Sequence, residues 1–182
     1  MKEPQPLSQQ RYVLEGWVRE CGWSSGCEIG VLRGANIFHL LDTFPNLSMT
    51  GVDQWLRLED TGVPGFETYS DHDMQTYRRH VMTKAIECGA GRCAILPMSS
   101  LDAARLTPDE IFDFIFIDAC HTEAAVRADI LAWAPKVKDD GWIAGHDWIF
   151  PLVNKVLHEE LPGWEKHSDQ CWRIEKRRSA LA

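Results

Sequence analysis

Four carboxylates and two histidines stand at or near the ends of strand-length apolar runs in this chain. Glu28 begins the segment Glu28-Ile-Gly30-Val-Leu-Arg-Gly34, and Asp53 closes the run Leu47 to Asp53. Asp118 closes Phe112 to Asp118, with His121 three residues later, and His146-Asp147 follows the run that starts at Trp142. A glycine turn lets backbone approach a ligand and leaves helix N–H groups free. An acid at the end of the next strand can accept hydrogen bonds from ribose hydroxyls. Together they describe a nucleoside-binding crevice. The later acids and histidines suit a different chemistry, because an alcohol must lose its proton or be polarised by a cation before its oxygen attacks.

The elements needed to position these residues are visible in the periodicity. Apolar runs of strand length alternate with segments of helical period, the pattern of repeated βα units around a mostly parallel sheet. Residues 7–20 read as a leading helix with Ser8 as a candidate N-cap, within a leading segment 1–22. The first strand is expected at Gly26 to Val31, followed by a helix from Arg33 to Phe44. A second strand runs from Leu47 to Asp53, and a helix from about Asp73 to Glu87. Cys93 to Pro97 supplies a third strand and Phe112 to Asp118 a central one. Glu123 to Pro135 is helical, Asp139-Asp140-Gly141 reads as a turn, and Trp142 to His146 is the next strand. A helix from Val153 to Leu161 and a hairpin from Trp164 to Lys176 complete the pattern. The expected fold is α/β: a doubly wound, Rossmann-like, mostly parallel seven-stranded sheet with helices on both faces and a C-terminal antiparallel hairpin. Residues 1–182 are expected to form one domain, with 54–73 a candidate substrate-covering loop.

Composition narrows the ligand. With 45% hydrophobic and 25% charged residues the chain is ordinary globular material, and its net charge of -8 argues against affinity gained by neutralising phosphates. A small-molecule acceptor is expected, and no nucleic acid. No run approaches the roughly 18–20 apolar residues of a membrane span, so no membrane partner is expected and the expected location is the cytoplasm. Six scattered cysteines without a CxxC pair point to reduced thiols. Of the eight tryptophans, Trp55 and Trp148 each closely follow an acid at a strand end and are candidates to line the site.

Three segments carry a family resemblance. CEIGVLRGAN resembles the first motif of class I S-adenosylmethionine-dependent methyltransferases, TGVDQW the second, and FIFIDACH with GWIAGHDW the late motifs of small-molecule O-methyltransferases of the catechol and macrocin-sugar type. The resemblance covers most of the chain. It implies S-adenosyl-L-methionine as cofactor, with Glu28 and Gly30 facing its methionine part at the turn that Gly34 completes, Asp53 its ribose, and Ser99 or Ser100 the adenine edge. Asp118 would border the cofactor and, with Asp147, hold a divalent cation such as Mg²⁺ or Mn²⁺, His146 being a candidate third ligand. His121 would be the general base. The resembled enzymes carry an acid followed by Asn or Asp where this chain has His146-Asp147, so the resemblance leaves metal dependence open. Acceptor cover is expected from the 54–73 loop or from a second copy of the chain, hence an expected homodimer.

Two rival readings remain. A nicotinamide-dependent oxidoreductase shares the architecture, but ExGxxxG departs from the GxGxxG turn that accommodates a pyrophosphate. A methyltransferase-like scaffold retained only for binding is the other, since fold does not dictate function. Amino-methylation of nucleic acid would call for an Asp/Asn-Pro-Pro-aromatic tetrapeptide where IDACH stands.

Overall fold

In a computed structural model, residues 9–56, 69–89, 91–179 and 181 are described. The candidate cap Ser8 and most of the 54–73 loop lie outside them. The sheet has the strand order β3-β2-β1-β4-β5-β7-β6, made of β1 (Ser25–Ile29), β2 (Ser48–Val52), β3 (Cys93–Leu96), β4 (Phe112–Ile117), β5 (Val137–Gly145), β6 (Glu165–Lys166) and β7 (Trp172–Glu175). Pairing is parallel from β3 to β5, and β7 runs antiparallel to both β5 and β6. This is the expected doubly wound sheet with its C-terminal hairpin.

Period-two alternation divides the core. Along β4, Phe114 and Phe116 join the cluster built on α1 (Gln10–Cys21), α2 (Ala35–Thr43) and α3 (Asp71–Glu87). Ile115 and Ile117 join the opposite cluster with α4 (Ser100–Leu106), α5 (Glu123–Trp133) and α6 (Pro151–Glu160). A strand buried on both faces is largely apolar, and in FDFIFI the one polar residue, Asp113, is also the one that is not buried. The leading helix buries Leu14, Trp17 and Val18 at helical spacing and ends at Gly22, whose left-handed backbone lets its N–H return to the Val18 carbonyl.

One local expectation is corrected. Asp139-Asp140-Gly141 is a bulge inside β5 rather than a turn before it: the register with β4 jumps from Phe112↔Val137 to Phe114↔Trp142. Both aspartates project outward, and Gly141 passes so close to β4 that a Cβ there would sit 2.5 Å from the Asp113 carbonyl oxygen. The segment between β3 and β4 contains a helix, α4, that periodicity did not reveal in so short a run. Its signal was Ser99-x-x-Asp102: the Ser99 hydroxyl accepts the Asp102 N–H.

Candidate active site

The order change between β1 and β4 creates a crevice beyond the carboxyl ends of the strands, the place where open α/β sheets bind ligands. A cavity of about 620 Å³ occupies it, with Gly30, Asp53, Ser99, Ser100, Asp118, His121, His146 and Asp147 all contributing to its wall. That volume suits a nucleoside-sized ligand. Glu28 and Gly34 are not part of the wall. Glu28 is buried beneath it, held by the Asn36 amide at 2.8 Å. Burial raises its pKa to about 8, and the nearby carboxylates of Asp118 and Asp53 push the same way.

The glycine turn is built by close approach. Gly30 has φ +93°, and a Cβ on it would lie 2.1 Å from the Asp118 carbonyl oxygen, so only glycine brings the end of β1 this near the end of β4. Gly34, φ +77°, is the residue before α2 and faces the Phe38 ring. Asp53 braces the turn: Oδ2 accepts the Leu32 N–H at 2.8 Å and Oδ1 the Trp55 N–H at 2.7 Å. Burial raises the Asp53 pKa, and these amides oppose the rise. Trp55, expected on the cavity wall, is instead buried and donates its indole N–H to the Leu32 carbonyl at 2.8 Å. Trp148 packs beside Trp164 and under the Lys166 ammonium. Neither indole contributes to the wall.

The second group centres on Asp147. Its Oδ2 lies 2.9 Å from His121 Nε2 and its Oδ1 3.1 Å from His146 Nδ1. Burial would raise its pKa, but the bonds to the two imidazoles outweigh that and hold it well below the usual carboxylate range. Burial lowers and Asp147 raises the His146 pKa, with a net rise. Asp118 Oδ1 is 3.8 Å from His146 Nδ1, while Oδ2 accepts the Gln10 side-chain N–H at 2.7 Å. Burial raises the Asp118 pKa. Gln10, a contact that the sequence did not signal, reaches the crevice from the first turn of α1. The His121 ring stacks on Phe150 at 5.3 Å.

Two of the expected cation ligands, Asp118 and Asp147, stand close together beside His121. Asp118, His121 and Asp147 each offer a ligand atom, all within 4.8 Å of one another, whereas His146 is not in this trio. His146 Nδ1 lies close to both acids, 3.1 Å from Asp147 Oδ1 and 3.8 Å from Asp118 Oδ1. Backbone strain gathers at the same end of the sheet. Leu32, Trp55 and Asp147 take φ of +47°, +47° and +64°, each just after β1, β2 or β5, and non-glycine residues hold such conformations where surrounding structure enforces them.

The comparisons fit this geometry. Residues 27–148 match a family described as a methyltransferase domain. The chain belongs to that methyltransferase family. A protein from Staphylococcus aureus assigned as a caffeoyl-CoA O-methyltransferase is 17% identical, with a TM-score of 0.63 over 94% of this chain and 84% of its own. An assigned O-methyltransferase from Klebsiella pneumoniae is 14% identical, with a TM-score of 0.63 over 95% and 81%. A Podospora anserina methyltransferase solved with S-adenosylhomocysteine is 13% identical, with a TM-score of 0.62 over 91% and 77%. At these identities the structures establish the fold. No curated protein sequence gives a significant match. The family match removes the nicotinamide-dependent alternative. Among the described residues no helix is long and apolar enough to cross a membrane.

Proposed function

We propose that this methyltransferase transfers the methyl group of S-adenosylmethionine to a hydroxyl on a small acceptor, with His121, oriented by Asp147, removing the hydroxyl proton. The observation that carries the reading is a single cavity whose wall contains both the Gly30–Asp53 turn and the Asp118, His121 and Asp147 side chains. When bound, S-adenosylmethionine supplies an electrophilic methyl group on a sulfonium.

The chain's own residues would do the rest. Gly30 keeps the turn free of side-chain bulk, and Asp53, held by the Leu32 and Trp55 amides, would accept from the ribose hydroxyls. The Asp147 carboxylate holds the His121 ring and stabilises the imidazolium formed when it accepts a proton. Phe150 stacks on that ring and limits its rotation. The assignments of the Staphylococcus aureus and Klebsiella pneumoniae proteins support an oxygen acceptor on a small molecule.

A second reading is favoured by the compact Asp118, His121 and Asp147 trio. Two carboxylates and an imidazole fit Mn²⁺ better than Mg²⁺, which prefers oxygen ligands throughout. A cation held there would polarise the acceptor oxygen, and His121 would then be its ligand rather than the base. Methyl transfer to a panel of phenols, catechols and sugars, followed by mass spectrometry with and without EDTA, tests both. Turnover insensitive to EDTA supports His121 as base, and turnover lost to EDTA and restored by Mn²⁺ supports the cation. A protein that binds S-adenosylhomocysteine but methylates nothing in the panel would contradict catalysis on this acceptor class and favour a binding scaffold.

A further inference from the structure

Asp129 is a buried carboxyl, 5% exposed, on the face of α5 that also buries Val126, Ile130 and Trp133. An ionised carboxylate in such a place is costly unless donors meet it. Asp129 Oδ1 lies 2.5 Å from Ser100 Oγ, and Ser100 Oγ lies 2.8 Å from Trp133 Nε1. An indole N–H only donates, so Ser100 accepts from Trp133 and directs its single proton to Asp129. The relay has one polarity and ends on an acceptor. Burial raises the Asp129 pKa to about 6, and the Ser100 bond only partly offsets the rise.

Asp129 contributes to the wall of the crevice, among Met98, Leu101, Ala125 and Ala128. Apolar or small side chains around a buried carboxylate suit a flat ring with an N–H donor on its edge. The serines expected at the adenine edge have their hydroxyl protons engaged, Ser99 by Asp102 and Ser100 by Asp129, which leaves the Asp129 carboxylate the stronger acceptor there. We propose that Asp129 reads the exocyclic amino group of the bound nucleobase and makes the crevice select a 6-aminopurine over its 6-oxo counterpart. This rests on the cofactor reading above. A simple tether between α4 and α5 would need only a group that accepts from Ser100, which an asparagine also supplies.

Calorimetric titration with S-adenosylhomocysteine and with S-inosylhomocysteine, the 6-oxo analogue, tests the proposal on the wild type, Asp129→Asn and Ser100→Ala. The wild type is expected to prefer the amino form by about tenfold or more, which is about 1.4 kcal/mol. Asp129→Asn keeps the Ser100 bond through its amide oxygen and turns its N–H₂ to the cavity, so the preference should vanish or reverse. Ser100→Ala should weaken S-adenosylhomocysteine binding by a smaller factor while keeping the preference. Equal wild-type affinity for the two ligands overturns the proposal, as does an unchanged preference in Asp129→Asn. Equal wild-type affinity overturns the proposal even if a variant fails to fold. No wild-type binding of either ligand would instead overturn the cofactor reading itself.

Discussion

Strand β4 has an aspartate near each end, and the two live in opposite electrostatic worlds. At the start of the strand, Asp113 accepts the backbone N–H groups of Ser24 and Ser25 at 2.7 and 2.8 Å and the Lys138 ammonium at 2.6 Å. Burial works against its charge, but the lysine and the two amides win and bring its pKa down to about 2. Just past the strand's other end, Asp118 has a neutral amide from Gln10, an imidazole 3.8 Å away and a second carboxylate close by, and its pKa rises through burial. The first acid is saturated with donors and ties β4 to the segment before β1 and to β5. The second has fewer donors and lies on the cavity wall, where the proposed function gives it a ligand or cation to meet. On the proposed reading, the same residue type serves stability at one end of the strand and chemistry at the other.

The sharpest test of that contrast is at the carboxyl ends. His121→Ala should slow methyl transfer by about 10²–10⁴-fold, the usual contribution of a positioned base, while S-adenosylhomocysteine binds as in the wild type. Steady-state kinetics paired with calorimetry checks this, and a variant with unchanged turnover would remove His121 from the mechanism under either the base or the ligand reading.

Beneath the crevice, Glu28 should make stability depend on pH. Its folded pKa of about 8 exceeds its ordinary 4.5, so between these values the folded state binds more protons than the unfolded one and stability falls as pH rises. Glu28→Gln should flatten that decline and stabilise the protein at pH 8 by roughly 2–4 kcal/mol, read from denaturant midpoints across pH 5–8. A decline of equal slope in the variant would assign it elsewhere.

At the opposite end, Asp113→Ala should cost about 1–3 kcal/mol, the loss expected when donors that met a charged group are left without it. Cofactor affinity and turnover should be unchanged in protein that remains folded. The depressed pKa gives a sign as well: the Asp113 contribution is full above about pH 4 and is lost as pH falls through about 2. Asp118→Asn should do the reverse, leaving stability equal or higher while reducing activity. If Asp118→Asn instead destabilised the fold as much as Asp113→Ala, the contrast between the two ends would fail.

Much of this was legible in the sequence because it depends on local rules. The glycines of the first turn, the doubly buried FDFIFI strand and the acids that follow strands β2 and β4 all show in residue type and spacing. What stayed hidden depends on contacts between distant segments. Gln10 bonds Asp118 across 108 positions of chain, and Asp129 and Ser100 meet only because α4 and α5 pack together. His146 adjoins Asp147 in sequence, and only the fold shows that His121 also comes within 2.9 Å of the same carboxylate. Trp55 follows its acid closely enough to look like a site residue, but its left-handed backbone turns the indole inward to hold the glycine turn. The Asp139-Asp140-Gly141 stretch has turn composition, and only the pairing with β4 makes it a bulge.

The central claim is that the crevice at the carboxyl ends of the strands binds the adenosyl cofactor through Asp53. Calorimetric titration of S-adenosylhomocysteine into the wild type, Asp53→Ala and Asp113→Ala tests it most directly. One site per chain is expected in the wild type, with affinity at least tenfold weaker in Asp53→Ala and unchanged in Asp113→Ala. Wild-type protein that takes up no ligand, or Asp53→Ala that binds as tightly as the wild type, would contradict the claim.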